Sequence, residues 1–171
     1  MPRRLFRRRT VNRDKYSVEQ SLIKTPVLTA WPIVPATDIT DEFREYAIQV
    51  LPPMSDQGMR KIKHLTITLS NQNEGDAAQA PLVYALVYVP EGYEAQHIRY
   101  PKHGYAVNMY DANQFVMSTG VVDFTGGPCR IKTPLSRNLN SGDSIYLILG
   151  TIIREGATSY TAQVTYAVTY Q

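Results

Sequence analysis

The chain has 171 residues, of which 43% are hydrophobic, and this favours one domain with a core of its own. No apolar run approaches the roughly 18–20 residues that span a bilayer, and Asn12–Asp14 interrupt the segment where a secretory signal would need apolar residues. We therefore expect no membrane partner. A single cysteine, Cys129, excludes an internal disulfide framework and a cysteine-based zinc site.

The first 15 residues, MPRRLFRRRTVNRDK, form a basic segment. They hold one acidic residue, Asp14, and seven basic residues: Arg3, Arg4, Arg7, Arg8, Arg9, Arg13 and Lys15. Their net charge is therefore +6, whereas residues 16–171, with 11 basic and 14 acidic residues, carry −3. Because like charges repel and apolar side chains are few, we expect this segment to be disordered unless an anion binds it. We call residues 1–15 the arm and residues 16–171 the body.

The body reads as strands separated by turn residues such as Pro52-Pro53 and Gly126-Gly127-Pro128. In the stretch HLTITL, Leu65, Ile67 and Leu69 alternate with threonines, which predicts a strand with one face on a core. LVYALVYV and SIYLILGTII are apolar on both faces and predict doubly buried strands. The eight candidate strands are Ser17–Val34, Phe43–Leu51, Arg60–Ser70, Leu82–Val89, Gln114–Phe124, Cys129–Thr133, Ser144–Ile153 and Tyr160–Tyr170.

Eight strands with long connections and no convincing helical periodicity predict an all-β protein. The natural arrangement for eight antiparallel strands is a single jelly-roll sandwich. The sequence therefore predicts a disordered basic arm followed by one jelly-roll domain.

Two basic groups are candidates for nucleic-acid binding. Arginines on a flexible segment bind phosphates through charge-assisted hydrogen bonds and release counterions, so the arm should bind nucleic acid without sequence preference and with strong salt dependence. A basic cluster of this kind also serves as a nuclear-import signal or as a solubilising tail. The second group, Arg60, Lys61 and Lys63, has two open interpretations: it lines the same anion-binding surface, or it is edge-strand charge that blocks aggregation.

The sequence offers no support for an enzyme. Motifs such as GxSxG, HExxH and the P-loop are absent, and no Ser-His-Asp order is found. His97 and His103 lie six residues apart, which matches neither a helical metal-binding pair nor a zinc finger. We therefore expect no catalytic residue, no metal site and no cofactor.

Several blocks resemble the capsid proteins of circular single-stranded DNA viruses that encode a Rep protein, the circovirus-like and nanovirus-like agents. The most specific block is SRNLNSGDSIYL, Ser136–Leu147, and the others are YSVEQSLIKTP, RKIKHLTITL and LVYALVYVPEGYE. The resemblance implies a jelly roll that assembles with itself into an icosahedral T=1 shell of about 60 copies. It implies an arm that faces the packaged single-stranded DNA and that often acts as a nuclear-localisation signal.

The same resemblance implies a virion protein that passes through the host nucleus during assembly, with import receptors and an unknown host-cell receptor as partners. The arm departs from the family pattern because it is shorter and less rich in arginine than in well-known circoviruses. Two alternatives remain open. One is the coat protein of a small single-stranded RNA virus or satellite, because an arm without base readout cannot distinguish DNA from RNA. The other is a non-viral β-sandwich binding module with a basic targeting tail.

Overall fold

The computed structural model describes residues 16–24, 43–71, 82–96, 113–152 and 159–170. These residues form nine β-strands and no helix, so this part of the chain contains no helix that could span a membrane. The strands are β1 (Ser17–Lys24), β2 (Phe43–Leu51), β3 (Met59–Asn71), β4 (Leu82–Val89), β5 (Phe115–Val122), β6 (Cys129–Lys132), β7 (Arg137–Asn140), β8 (Ser144–Ile152) and β9 (Tyr160–Tyr170). The arm, residues 25–34 of the first predicted strand, His97 and His103 lie outside the described residues.

The strands form two antiparallel sheets. Sheet I has the order β1-β9-β3-β6, with β7 also paired to β3, and sheet II has the order β2-β8-β4-β5. The pairings are nested along the chain: β1 pairs with β9, β2 with β8, β3 with β6 and β7, and β4 with β5. The chain therefore pairs like one long antiparallel ribbon whose successive segments alternate between the two sheets.

The prediction of eight strands was wrong by one, because β7 was missed. Strands β6 and β7 pair with successive parts of β3: Cys129–Lys132 lies along Thr66–Leu69, and Arg137–Asn140 lies along Met59–Ile62. Between them Pro134 has no N–H to donate to a sheet. The two strands thus occupy one position beside β3, interrupted by a short irregular segment.

The core lies between the sheets. Leu65, Ile67 and Leu69 on β3 are buried in one cluster with Leu86 and Leu147 of sheet II. The outward residues between the three β3 side chains are half-buried threonines, so the alternation in HLTITL is confirmed. The two faces of the sandwich are therefore specified by period-2 patterning.

Strands β4 and β8 are buried on both faces, as their sequences predicted. Their second face carries a smaller cluster in which Ala85, Val87, Val89 and Ile148 pack with Ala95. Sheet II is therefore covered on its outer side where these residues lie, whereas the outer side of sheet I is lined by half-buried and exposed residues.

A bulge in β3 changes which residues face the core. Arg60 and Ile62 point inward before it, and Leu65 is the first of the odd-numbered inward residues after it. The register shifts between Lys63 and Thr66, and His64 adopts a left-handed φ of 54°. The extra residue lets both halves of β3 bury their apolar side chains in the same core.

Candidate nucleic-acid interface

The predicted basic group on β3 is divided between the two faces of sheet I. The side chain of Arg60 is only 5% exposed, and its guanidinium donates a hydrogen bond to the Pro52 carbonyl. Lys61 and Lys63 point to the outer face and are half-buried. Because neighbouring residues of a strand point to opposite faces, the three cations do not form one surface. The seven basic residues of the arm lie outside the described residues.

Arg60 belongs to a polar cluster that joins β1 to β9. The Glu19 carboxylate accepts hydrogen bonds from the hydroxyls of Tyr166, at 2.6 Å, and Tyr170, at 2.7 Å. Burial, reinforced by the hydrogen bond to Glu19, holds the pKa of Tyr166 well above its usual range. The hydrogen bond to Glu19 is the main cause of the raised pKa of Tyr170, and the positive charge of Arg60 opposes both shifts. Arg60 is therefore a buried cation close enough to the two tyrosine hydroxyls to affect their pKa values.

The outer face of sheet I carries five described cations, whereas Arg137 on β7, opposite the buried Ile62, lies on the inner side like Arg60. Strand register decides this placement, because directly opposed residues of antiparallel strands share a face. Lys132 lies opposite Thr66, Arg130 lies opposite Thr68, and the buried Ile131 between them points to the core. We call the set on this outer face the basic face, and its members are Lys24, Lys61, Lys63, Arg130 and Lys132.

Every described aspartate and glutamate lies elsewhere. Glu19 stands on the inner side of β1, opposite Tyr166. The others belong to β2 or to connections between strands: Glu45, Asp56, Glu91, Glu94, Asp123 and Asp143. Among the described residues the basic face therefore has one sign of charge, which produces a positive potential at its surface.

The arm joins the body at the basic face. The ammonium of Lys63 lies 4.3 Å from the centre of the Tyr16 ring, a cation–π contact. Tyr16 is the residue directly after Lys15, the last residue of the arm. The cationic segment and the cationic sheet face therefore begin at the same place on the molecule.

Sequence reasoning missed Lys24, Arg130 and Lys132. The pattern CRIK did carry a signal, since a single apolar residue between two cations predicts that both cations share the outward face. Which sheet that face belongs to depends on the pairing of β6 with β3, and the local sequence does not encode this pairing.

A second polar cluster lies in the block Ser136–Leu147. Asp143 is 2% exposed, and its carboxylate accepts hydrogen bonds from the Tyr88 hydroxyl at 2.9 Å and from the backbone N–H groups of Glu91 at 3.1 Å and Asn140 at 2.8 Å. Burial, together with Asp143, raises the pKa of Tyr88 above its usual value, and the Arg137 guanidinium, 4.1 Å from the centre of the same ring, opposes part of this rise. Through these hydrogen bonds the turn between β7 and β8 is connected to the C-terminal end of β4.

No described group of three or more His, Cys, Asp or Glu side chains is arranged to hold a metal ion. Cys129 is a half-buried free thiol that packs against the core, as a small apolar residue would.

No family model and no curated protein matches the chain. Among solved structures it is similar to a chain in a structure of infectious bursal disease virus, Gt strain, with 11% sequence identity and a TM-score of 0.30. The match covers 88% of this chain and 32% of that one, so the chain spans about a third of the protein it matches. A likeness at this level does not identify the family of the chain.

Proposed function

We propose that this chain is a viral capsid protein that assembles with itself into an icosahedral T=1 shell of about 60 copies and packages circular single-stranded DNA. The sequence blocks around Ser136–Leu147 support this proposal. The fold supports it as well, since two sheets joined by nested ribbon pairing suit a jelly roll. If β6 and β7 count as one interrupted position, the nine described strands occupy eight positions.

The observation that carries the proposal is the contact between Lys63 and Tyr16. It lets an arm with a net charge of +6 leave the body from a surface that is itself cationic. A polyanion held by the arm would therefore also lie next to the basic face. This arrangement suits a protein that collects one long nucleic acid on one side of each subunit.

The proposal makes the protein a component of the virion without catalytic residues. Its partners are copies of itself, the genome, nuclear-import receptors that read the arm, and a host-cell receptor. The arm would bind phosphates, which DNA and RNA share. Nuclease digestion of the packaged nucleic acid must therefore test whether the genome is DNA.

The test is to purify the full chain and to measure particle mass and nucleic-acid content together. About 60 copies of the 19.3 kDa chain would give a protein shell of about 1.2 MDa. We expect such a particle to contain nucleic acid that is degraded by a DNase and not by an RNase. RNase-sensitive contents would support the RNA-virus coat protein instead, and a monomer or trimer in all buffers would contradict assembly.

A variant without residues 1–15 tests the arm. We expect it to keep its strand content, measured by circular dichroism, and to contain much less nucleic acid. Unchanged nucleic-acid content would contradict the role of the arm.

A further inference from the structure

We infer that the basic face is a second nucleic-acid site, which binds the phosphate backbone of the packaged single strand directly and is turned toward the interior of the shell. The inference rests on the proposed function and extends it from the arm to the folded body. It concerns Lys24, Arg130 and Lys132 as well as Lys61 and Lys63.

The cations follow the length of sheet I. Lys61 and Lys63 are two residues apart on β3, about 7 Å at the rise of an extended strand. Arg130 and Lys132 continue the series on β6, beside Thr68 and Thr66. The series from Lys61 to Arg130 therefore extends over about 20 Å, and neighbouring strands lie about 4.8 Å apart. A flexible polyanion can follow a series of this length with several successive phosphates.

The position of β3 within the sheet argues against the alternative that Lys61 and Lys63 serve to block aggregation. Charges that block aggregation are needed on edge strands, which have unpaired backbone groups. Strand β3 is interior, since β9 pairs with it on one side and β6 and β7 pair with it on the other. Lys61 and Lys63 therefore need another explanation for their placement on one face.

The remaining outward side chains suit phosphates better than bases. They are mainly hydroxyl and amide groups, which commonly contact the nucleic-acid backbone: Thr66, Thr68, Ser70, Thr161, Gln163, Thr165 and Thr169. The aromatic ring placed at this face by a described contact, Tyr16, already lies against Lys63. On this face, the exposed large apolar side chains of the described residues are Val18 and Leu22 of the edge strand β1. Because contacts to phosphate and sugar carry no sequence information, binding at this face should not depend on base sequence.

A matched pair of substitutions tests the location. Thr68→Glu places a negative charge on the basic face beside Arg130, and Thr119→Glu places the same charge on the exposed outer side of β5 in sheet II. Both variants keep the arm and have the same net charge. Binding of the dissociated full chain to a labelled oligothymidine of about 20 nucleotides is measured by fluorescence anisotropy.

We expect Thr68→Glu to weaken binding at least threefold more than Thr119→Glu does. Equal affinities for the two variants would overturn the inference. Thermal unfolding of both variants shows whether either substitution has disturbed the fold.

The salt dependence gives a second, independent readout. Each phosphate contact with a single strand contributes about −0.7 to the slope of log K against log salt. Replacing the four cations Lys61, Lys63, Arg130 and Lys132 with glutamine should therefore reduce the magnitude of the slope by up to about 2.8. A slope equal to that of the unchanged chain would show that these side chains make no phosphate contacts.

Particle mass, measured on the same variants, separates this inference from the proposed function. Assembled particles with an unchanged salt slope would refute the second site and leave the capsid proposal intact. If the chain does not assemble, but the glutamine substitutions still reduce the slope of log K against log salt, the capsid proposal is refuted and the proposed binding surface is retained.

Discussion

Replacing Asp143 should be among the most destabilising single changes to a polar residue of the described chain. Its carboxylate is 2% exposed and accepts hydrogen bonds from Tyr88 and from the backbone of Glu91 and Asn140. Asp143→Ala would leave the hydroxyl of Tyr88, a residue that is 8% exposed, without its partner, at a cost of about 1–3 kcal/mol. The two N–H groups belong to exposed residues, so we assign each about 0.5–1.5 kcal/mol. The expected loss in the free energy of unfolding is therefore about 2–6 kcal/mol.

The assay is urea denaturation of the full chain, followed by tyrosine and tryptophan fluorescence at several protein concentrations, because assembly raises apparent stability. Tyr88→Phe is the control, since it removes one of the three hydrogen bonds and keeps the ring beneath Arg137. It should cost about 1 kcal/mol. If Asp143→Ala were no more destabilising than Tyr88→Phe, the carboxylate would not hold this turn.

Three further results are expected. His64→Val should be about 1–2 kcal/mol less stable than His64→Gly in the same denaturation assay, because a β-branched residue is strained at the φ of 54°. Leu147→Ala should cost about 2–5 kcal/mol, since this side chain is fully buried in the core. Stability should fall as the pH rises above about 10, where the tyrosines of the unfolded chain ionise first. The pKa values of Tyr166 and Tyr170 are raised in the fold, so their contribution is complete below that pH and is lost above it.

Each of these results has a matched comparison. Leu22→Ala changes the same residue type at a position that is 63% exposed, and it should alter stability by less than about 0.5 kcal/mol. Glu19→Gln removes the charge that both tyrosine hydroxyls face, so it should make the alkaline loss of stability shallower. An alkaline transition of equal steepness in that variant would mean that other groups cause it. A His64→Val chain as stable as His64→Gly would mean that the bulge relaxes.

The positions of the strands were predicted better from the sequence than the pairing between them. Strand β4 was predicted with its observed bounds because LVYALVYV is uninterrupted and flanked by proline and turn residues. Strand β7 was missed because its four residues alternate only once, with Leu139 as the single buried side chain. In β3 the inward positions change from even numbers at Arg60 and Ile62 to odd numbers at Leu65, and this change signals a bulge. The spacing of three between the apolar Ile62 and Leu65 carries this signal in the sequence.

The candidate site was predicted in part for the same reason. Lys61 and Lys63 follow from the alternation of one strand, whereas Lys24, Arg130 and Lys132 join them only through pairing between strands distant in sequence. The inward position of Arg60 was not predicted either, because its hydrogen bond to the Pro52 carbonyl and its place near Tyr166 depend on the folded sheet. Long-range pairing of this kind is set by the packing of whole sheets, so local patterns do not reveal it.

The net charge of the body, −3, conceals an unequal distribution. Five of the eight described cations lie on the outer face of sheet I, while exposed carboxylates such as Asp56, Glu91 and Asp123 lie at the ends of strands. In the proposed closed shell every subunit would have an equivalent orientation, so a charged face on one copy would become a charged layer of the whole particle. The basic face adds five cations to the six net charges of the arm. The body would thereby offset the shortness of the arm, and truncating the arm should remove a large part of the packaged nucleic acid without removing all of it.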